Sequence, residues 1–273
     1  MAPGRPAAES TERRLVAPAQ SEAPRQHAGL FQAVLLLWAY ALYDVLRAGS
    51  TGSTASALAH ARQVVTVERF VGLDAERAIQ RAALHLPWLV GALNLSYTLT
   101  HLAVPPLVLW LLYQRAPARY RHWRNVFFVL LAIGVLCFWL YPMAPPRLLP
   151  GSGVVDTSHT YASVRHTPLA PLGSSSEATI SEANPFAAMP SLHVGWAVWA
   201  LLAVWPVLRR RSARLLVALY PALMLAAVVV TGNHWLLDCV GGVAATLLAC
   251  GIVSLAPRVA ADWRRRRIPD PAW

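Results

Sequence analysis

Long apolar stretches alternate along this chain with short connections rich in arginine. Six of the stretches reach the roughly 20 residues that the hydrocarbon core of a bilayer requires of a helix. They run approximately over 29–48, 88–113, 123–142, 189–208, 213–231 and 234–256. The intervening segment 55–82 mixes Leu58, Val65 and Phe70 with Arg62, Glu68, Arg69, Glu76 and Arg77. That is too many charges for a span, and it predicts an amphipathic helix, or two, on the membrane surface. The pattern therefore predicts an all-α, polytopic membrane bundle of about six transmembrane helices plus the surface helix. The connection 143–188, with "APPR", "PGSG" and "GSSS", is long enough to be either functional or disordered. The chain shows no repeat at a fixed period, no glycine-rich phosphate loop and no dinucleotide fingerprint.

Composition agrees with a membrane protein: of 273 residues 56% are hydrophobic and only 14% charged. The formal charge of +11 comes from 24 arginines, since there is no lysine. Their placement excludes a nucleic-acid binder, because they lie at the ends of apolar runs rather than on one soluble face. With the N-terminus in the cytoplasm, the inner side receives Arg5, Arg13, Arg14 and Arg25, then Arg115, Arg119, Arg121 and Arg124. It also receives Arg209, Arg210, Arg211 and Arg214, and finally Arg258 and Arg264 to Arg267. Seven remain outside: Arg47, Arg62, Arg69, Arg77, Arg81, Arg147 and Arg165. The asymmetry predicts both termini inside, with 143–188 and the turn at 231–234 facing away from the cytoplasm. The predicted organisation is a disordered cytoplasmic tail over 1–27, a six-helix membrane domain over 28–257 and a basic cytoplasmic tail over 258–273. Residues 1–27 lack the apolar core of a signal peptide. Cys137, Cys239 and Cys250 fit neither a zinc site nor a disulfide framework and read as small buried hydrophobes.

Candidate chemistry begins at "TGNHWLLDCVGG", 231–242, where His234 and Asp238 are spaced to share one helix face. A carboxylate on one imidazole nitrogen fixes the tautomer and leaves the other as base or nucleophile. The competing reading is a helix-capping histidine with an aspartate that bonds a neighbouring helix. In "AAMPSLHVGWA", 187–197, Pro190 suits the first position of a helix, which places Ser191 and His193 in its first turn. Backbone N–H groups there lack intrahelical partners and attract phosphate. A plain proline-started helix with a snorkelling histidine is the alternative. Topology joins the two stretches: both helices start on the outer side, as does Arg147 in "YPMAPPRLLP", which alone would read as a lipid headgroup anchor. Asn94, Tyr97 and His101 form a polar stripe on the second span, either helix glue or a substrate cavity wall. Gly241 and Gly242 predict a close helix contact.

These stretches resemble the type 2 phosphatidic acid phosphatase superfamily, through "PPR", "PSLH" and "HWLLD". The likeness is closest to the subgroup that includes fungal inositol phosphorylceramide synthase. It extends over "VERFVGLDAERAIQ" (67–80), "NLSYTLTH" (94–101), "YPMAPPRLL" (141–149), "NPFAAMPSLHVGWA" (184–197) and "TGNHWLLDCVGG". Glu68, Gly72, Glu76 and Gln80 belong to it without a role that residue type alone assigns. The chain departs from the broad pattern in lacking the lysine that usually precedes the first-motif arginine. Arg165 or an arginine of 62–81 is a candidate replacement.

The resemblance implies an integral-membrane lipid phosphatase or phosphotransferase. His234 would attack phosphorus to form a phosphohistidine, and Asp238 would hold its imidazole. His193 would protonate the leaving oxygen and later activate the acceptor. Arg147, the Ser191 hydroxyl and the free N–H groups near Pro190 to Leu192 would hold the phosphoryl oxygens, in a site that the two helix N-termini shape for a phosphoryl group. No metal or other cofactor is implied. The expected partners are a membrane lipid carrying a phosphate and, for a transferase, a hydroxyl acceptor, and the expected location is the cell (plasma) membrane with the site extracytoplasmic. The alternative is a catalytically silent lipid-binding or transport protein of the same architecture. Retention of His193, His234, Asp238 and Arg147 speaks against that alternative.

Overall fold

The computed structural model describes residues 23–50, 52–157 and 184–267, without the side chains of 23–28, 101 and 258–267. The expectations for most of the N-terminal tail, for Arg165 and the middle of the long connection, and for the last six residues lie outside the described residues. Eight α-helices have both ends among the described residues, in order: α1 (Ala23–Gly49), α2 (Thr54–Val71), α3 (Glu76–Leu84), α4 (Pro87–Arg115), α5 (Pro117–Leu140), α6 (Leu192–Val204), α7 (Arg211–Val230) and α8 (Leu236–Arg267). A single 3-10 turn, Pro146–Leu148, precedes the long connection. Among the described residues the only extended pairing is a bridge between Met143 and Ala187. Contacts divide the chain into two units, Met1–Tyr40 and Ala41–Trp273. The first holds α1 as far as Tyr40, and the candidate site described below lies in the second.

The predicted all-helical polytopic architecture is the observed one. Four described helices are long and apolar enough to cross a membrane: α1 over Gly29–Gly49, α5, α7, and α8 over Leu236–Pro257. α4 is a fifth candidate, bent by 48° between Pro87–Thr100 and Leu102–Arg115. Its bend lies one turn before Pro105 and Pro106, where a proline ring crowds the carbonyl four residues earlier and supplies no N–H. The fourth apolar stretch, 189–208, departs from the expectation of a full span. α6 has 13 residues, about 20 Å at the usual helical rise. It is packed by α4, α5, α7 and α8, with Ala197, Trp199, Ala200 and Ala203 fully buried. A helix apolar on every face is one enclosed by others. The Trp199 indole N–H donates to Trp123 O at 3.0 Å and ties α6 to α5.

Glycines bring α6 and α8 together. A Cβ on Gly242 would overlap the Ser191 carbonyl, and one on Gly195 would lie 3.2 Å from Gly242 O and Thr246 Oγ1. Thr246 Oγ1 donates to Gly195 O at 3.0 Å across the same contact. The close approach expected at Gly241–Gly242 is thus found at Gly242, against the first turn of α6.

The segment 55–82 folds as α2 and α3. Ser53 caps α2 through its hydroxyl, which accepts Ser56 N–H at 3.0 Å. Gly72, at φ 74°, ends it in the left-handed conformation, with Leu73 N–H returning to Glu68 O at 2.8 Å. Ala57, Ala61 and Val64 of α2 pack into an apolar cluster with Met143, Ala144 and Trp235. Glu68, Glu76 and Gln80 are buried, whereas Phe70 is 90% exposed and Val67 and Val71 are also exposed. Buried polar groups need partners: Glu68 and Glu76 find theirs at the start of α8, and Gln80 at Val155 and Val230.

Candidate active site

The turn between α7 and α8 sets His234. Gly232 has φ 71°, and a Cβ there would come within 2.9 Å of Val154 Cγ1 and 3.2 Å of Arg147 Cβ. Only glycine combines that conformation with that proximity. Gly232 O accepts Arg147 N–H at 3.1 Å, so the 3-10 turn carrying Arg147 is anchored two residues before His234. The Trp235 indole donates to Ala144 O at 3.0 Å, and Met143 N–H to Phe186 O at 2.7 Å. Three segments far apart in sequence, 143–149, 184–193 and 231–238, are thereby fastened together.

Within this frame His234 is buried. Its Nδ1 lies 2.8 Å from Ala188 O and 3.5 Å from Asp238 Oδ2. A carbonyl only accepts, so Nδ1 carries the proton and Nε2 presents a lone pair. The backbone of Ala188 is therefore the closer partner of the imidazole, and Asp238, expected in that position, is secondary. Asp238 Oδ2 instead accepts Trp235 N–H at 2.8 Å, the reach from third helical residue back to N-cap that closes a capping box. Burial pushes the His234 imidazole down to about 3, partly opposed by the Ala188 hydrogen bond and assisted by Arg147 and Arg47. It is accordingly neutral.

The N-terminus of α8 was expected to help bind phosphate, and it does not offer its N–H groups. Leu236 N–H donates to Glu76 Oε1 at 2.8 Å and Leu237 N–H to Glu68 Oε1 at 2.7 Å. Asp238 N–H turns back to Trp235 O at 3.1 Å. With the Trp235 N–H on Asp238, all four donors of the first turn are occupied, three by side-chain carboxyl oxygens. Burial raises Glu68 to about 8 against the lowering pull of the Leu237 N–H, with the Glu76 and Asp238 carboxylates raising it further.

The start of α6 is different. Pro190, expected at its first position, precedes the cap and follows Met189 through a cis peptide. Ser191 is the N-cap, and its side chain makes no capping bond. Its N–H donates to Asp238 O at 2.9 Å, which ties the two helix starts together. The Ser191 hydroxyl oxygen is fully buried with no hydrogen-bond partner among the described residues. His193 follows one turn into the site, its ring 5.7 Å from that of His234 and stacked on Tyr97 at 4.2 Å. Arg147 lies with Nε 3.4 Å from Asp156 Oδ2, its side chain 10% exposed.

The structure thus brings together His234, Asp238, Ser191, His193 and Arg147, with Tyr97 against His193. Asn94 serves the scaffold: its amide donates to Val90 O at 2.9 Å and Thr157 Oγ1 at 3.2 Å. The side chain of His101 lies outside the described residues. Sequence reasoning missed the Ala188 carbonyl and had no role for Glu68, Glu76 or Gln80. Gln80 donates to Val155 O and Val230 O and accepts Val155 N–H, which holds the long connection against the end of α7. Cys239 is buried, and the cysteines are all free.

A helical membrane protein with a paired-histidine site is the class that this fold and geometry define. The model of the PAP2 superfamily matches residues 62–252, more than half of the chain and every segment of the site. The protein belongs to the PAP2 superfamily and is an enzyme of the phosphatase and phosphotransferase kind. Neither a curated protein nor a solved structure matches significantly.

Proposed function

We propose that the protein is a membrane-lipid phosphatase or phosphotransferase that works through a phosphohistidine on His234. The observation that carries this reading is the Nδ1 contact of His234 with Ala188 O. It leaves the Nε2 lone pair of a neutral imidazole as the nucleophile. That lone pair attacks phosphorus and the bond to the leaving oxygen breaks. The departing electron pair stays on that oxygen, which takes a proton from protonated His193. Neutral His193 then removes the proton of the acceptor hydroxyl as its oxygen attacks, and the P–N electron pair returns to Nε2. Arg147, the Ser191 hydroxyl and the first-turn N–H groups of α6 hold the phosphoryl oxygens, where charge develops. Asp238, through Trp235 N–H and its proximity to Nδ1, holds the nucleophile in place.

The motif likeness to fungal inositol phosphorylceramide synthase supports a phosphotransferase, with a lipid phosphate or phosphodiester as donor and water or an alcohol as acceptor. The arginine distribution supports both termini cytoplasmic and the site extracytoplasmic, and the membrane proposed is the plasma membrane. Purified protein incubated with radiolabelled lipid phosphates and phosphodiesters, with and without inositol, tests the reading. Label should pass to water or to the alcohol, and His234→Ala should abolish transfer while still inserting. Near wild-type turnover by His234→Ala would sink the mechanism.

A further inference from the structure

The last turn of α1 reaches the site from a part of the chain that none of its motifs contains. Asn184, buried, donates to Arg47 O at 2.7 Å and to Ser50 O at 3.1 Å, and lies 2.6 Å from Ser50 Oγ. The same segment, four residues on, supplies the Ala188 carbonyl to His234. Tyr43 packs edge-on against Trp196 with centroids 6.1 Å apart, and Trp196 lies 6.2 Å from His193. Tyr43 and Arg47 are one helical turn apart and share a face. The face of α1 that meets the His193–Trp196 side of α6 therefore carries the Arg47 guanidinium toward the same place. Its charge acts on the His234 imidazole, as that of Arg147 does.

The described arginines of the segment 62–81 differ. Arg62, Arg69, Arg77 and Arg81 are all exposed, and Arg69 is paired with Asp74 at 3.0 Å. The Arg47 side chain is only 20% exposed, and its neighbouring carboxylate, Asp44, stands 3.9 Å away. Arg147 shares its charge with Asp156, and the N–H groups at the start of α8 are taken up by side-chain carboxyl oxygens. A second guanidinium would help to balance the negative charge of a phosphoryl group entering here, and the chain has no lysine.

We propose that Arg47 is that cation, a second phosphoryl-oxygen ligand opposite Arg147 that does the work of the missing first-motif lysine. The inference rests on the phosphoryl-transfer reading above. A guanidinium offers two parallel donors to a phosphoryl group, so the site would grip the phosphoryl oxygens from two sides.

The test measures orthovanadate affinity on full-length protein in lipid nanodiscs for Arg47→Gln, Arg47→Lys and Arg147→Gln, together with acid-labile labelling from a radiolabelled lipid phosphate. Arg47→Gln keeps the long stem and loses the charge. It should weaken vanadate about ten- to a hundredfold, the scale of a lost charged hydrogen bond, and slow labelling in parallel. Arg47→Lys should recover much of both, which a merely structural role for the α1 terminus would not do. Arg47→Gln that binds within twofold of wild type, while Arg147→Gln does not, overturns the inference and leaves the phosphoryl-transfer reading standing. Wild-type protein that binds no vanadate and takes no label contradicts that reading, and this inference with it.

Discussion

The carboxylate of Glu68, buried on α2, accepts the backbone N–H of Leu237 at 2.7 Å, one residue before Asp238. Glu76 does the same for Leu236 at 2.8 Å. Helices that carry no proposed catalytic group thus fix the backbone immediately after His234.

Removing either acceptor should cost activity through position. Glu68→Ala or Glu76→Ala leaves a buried N–H unsatisfied, about 1–3 kcal/mol, and frees the turn that sets His234. Steady-state kinetics should show a lower kcat at little-changed KM, and a thermal unfolding scan a lower Tm. Glutamine keeps a carbonyl acceptor, so Glu68→Gln and Glu76→Gln should retain most of both.

Glu68 also links stability to pH. Its folded-state value is raised from 4.5 to about 8, so between these limits the folded chain holds a proton that the unfolded chain releases. The stabilisation is complete below about pH 4.5 and lost as pH rises through about 8. The Tm of the wild type should therefore fall relative to that of Glu68→Gln across this window. A constant difference would show that Glu68 does not titrate there.

Gly242→Ala should be destabilising, because the added methyl meets the backbone carbonyl of Ser191 rather than a movable side chain. Overpacking of this kind costs about 1–3 kcal/mol. Since Ser191 N–H is bonded to Asp238 O, separating the helices should also reduce turnover. Gly251→Ala, where a Cβ meets nothing, is the control on the same helix.

Much of this was legible in the chain. Apolar run lengths indicated the helices, and the spacing of His234 from Asp238, with two helix starts expected on one side, pointed to the candidate site. Two features were not legible, for physical reasons. Run length alone does not separate a spanning helix from one enclosed by four others, so the enclosed α6 could not be told from a full span. The partners of Glu68 and Glu76 lie 169 and 160 residues away, and no local pattern reports a hydrogen bond at that distance. A signal was nevertheless present. Two glutamates eight residues apart in a segment beside a membrane, with Gln80 a turn later, had no reason to face lipid. Pro190 was misplaced by two positions because the cap falls on Ser191, whose N–H is drawn to Asp238 O.

The most direct measurement of the central claim is trapping of the enzyme during turnover of a phosphorus-labelled lipid by a denaturing alkaline quench, with the labelled peptide then identified at high pH. The account predicts alkali-stable, acid-labile label on the peptide containing His234, lost in His234→Ala and accumulating in His193→Ala when a good leaving group removes the need for its proton. Turnover with no such label on the wild-type enzyme, or label on a serine or aspartate instead, would contradict it.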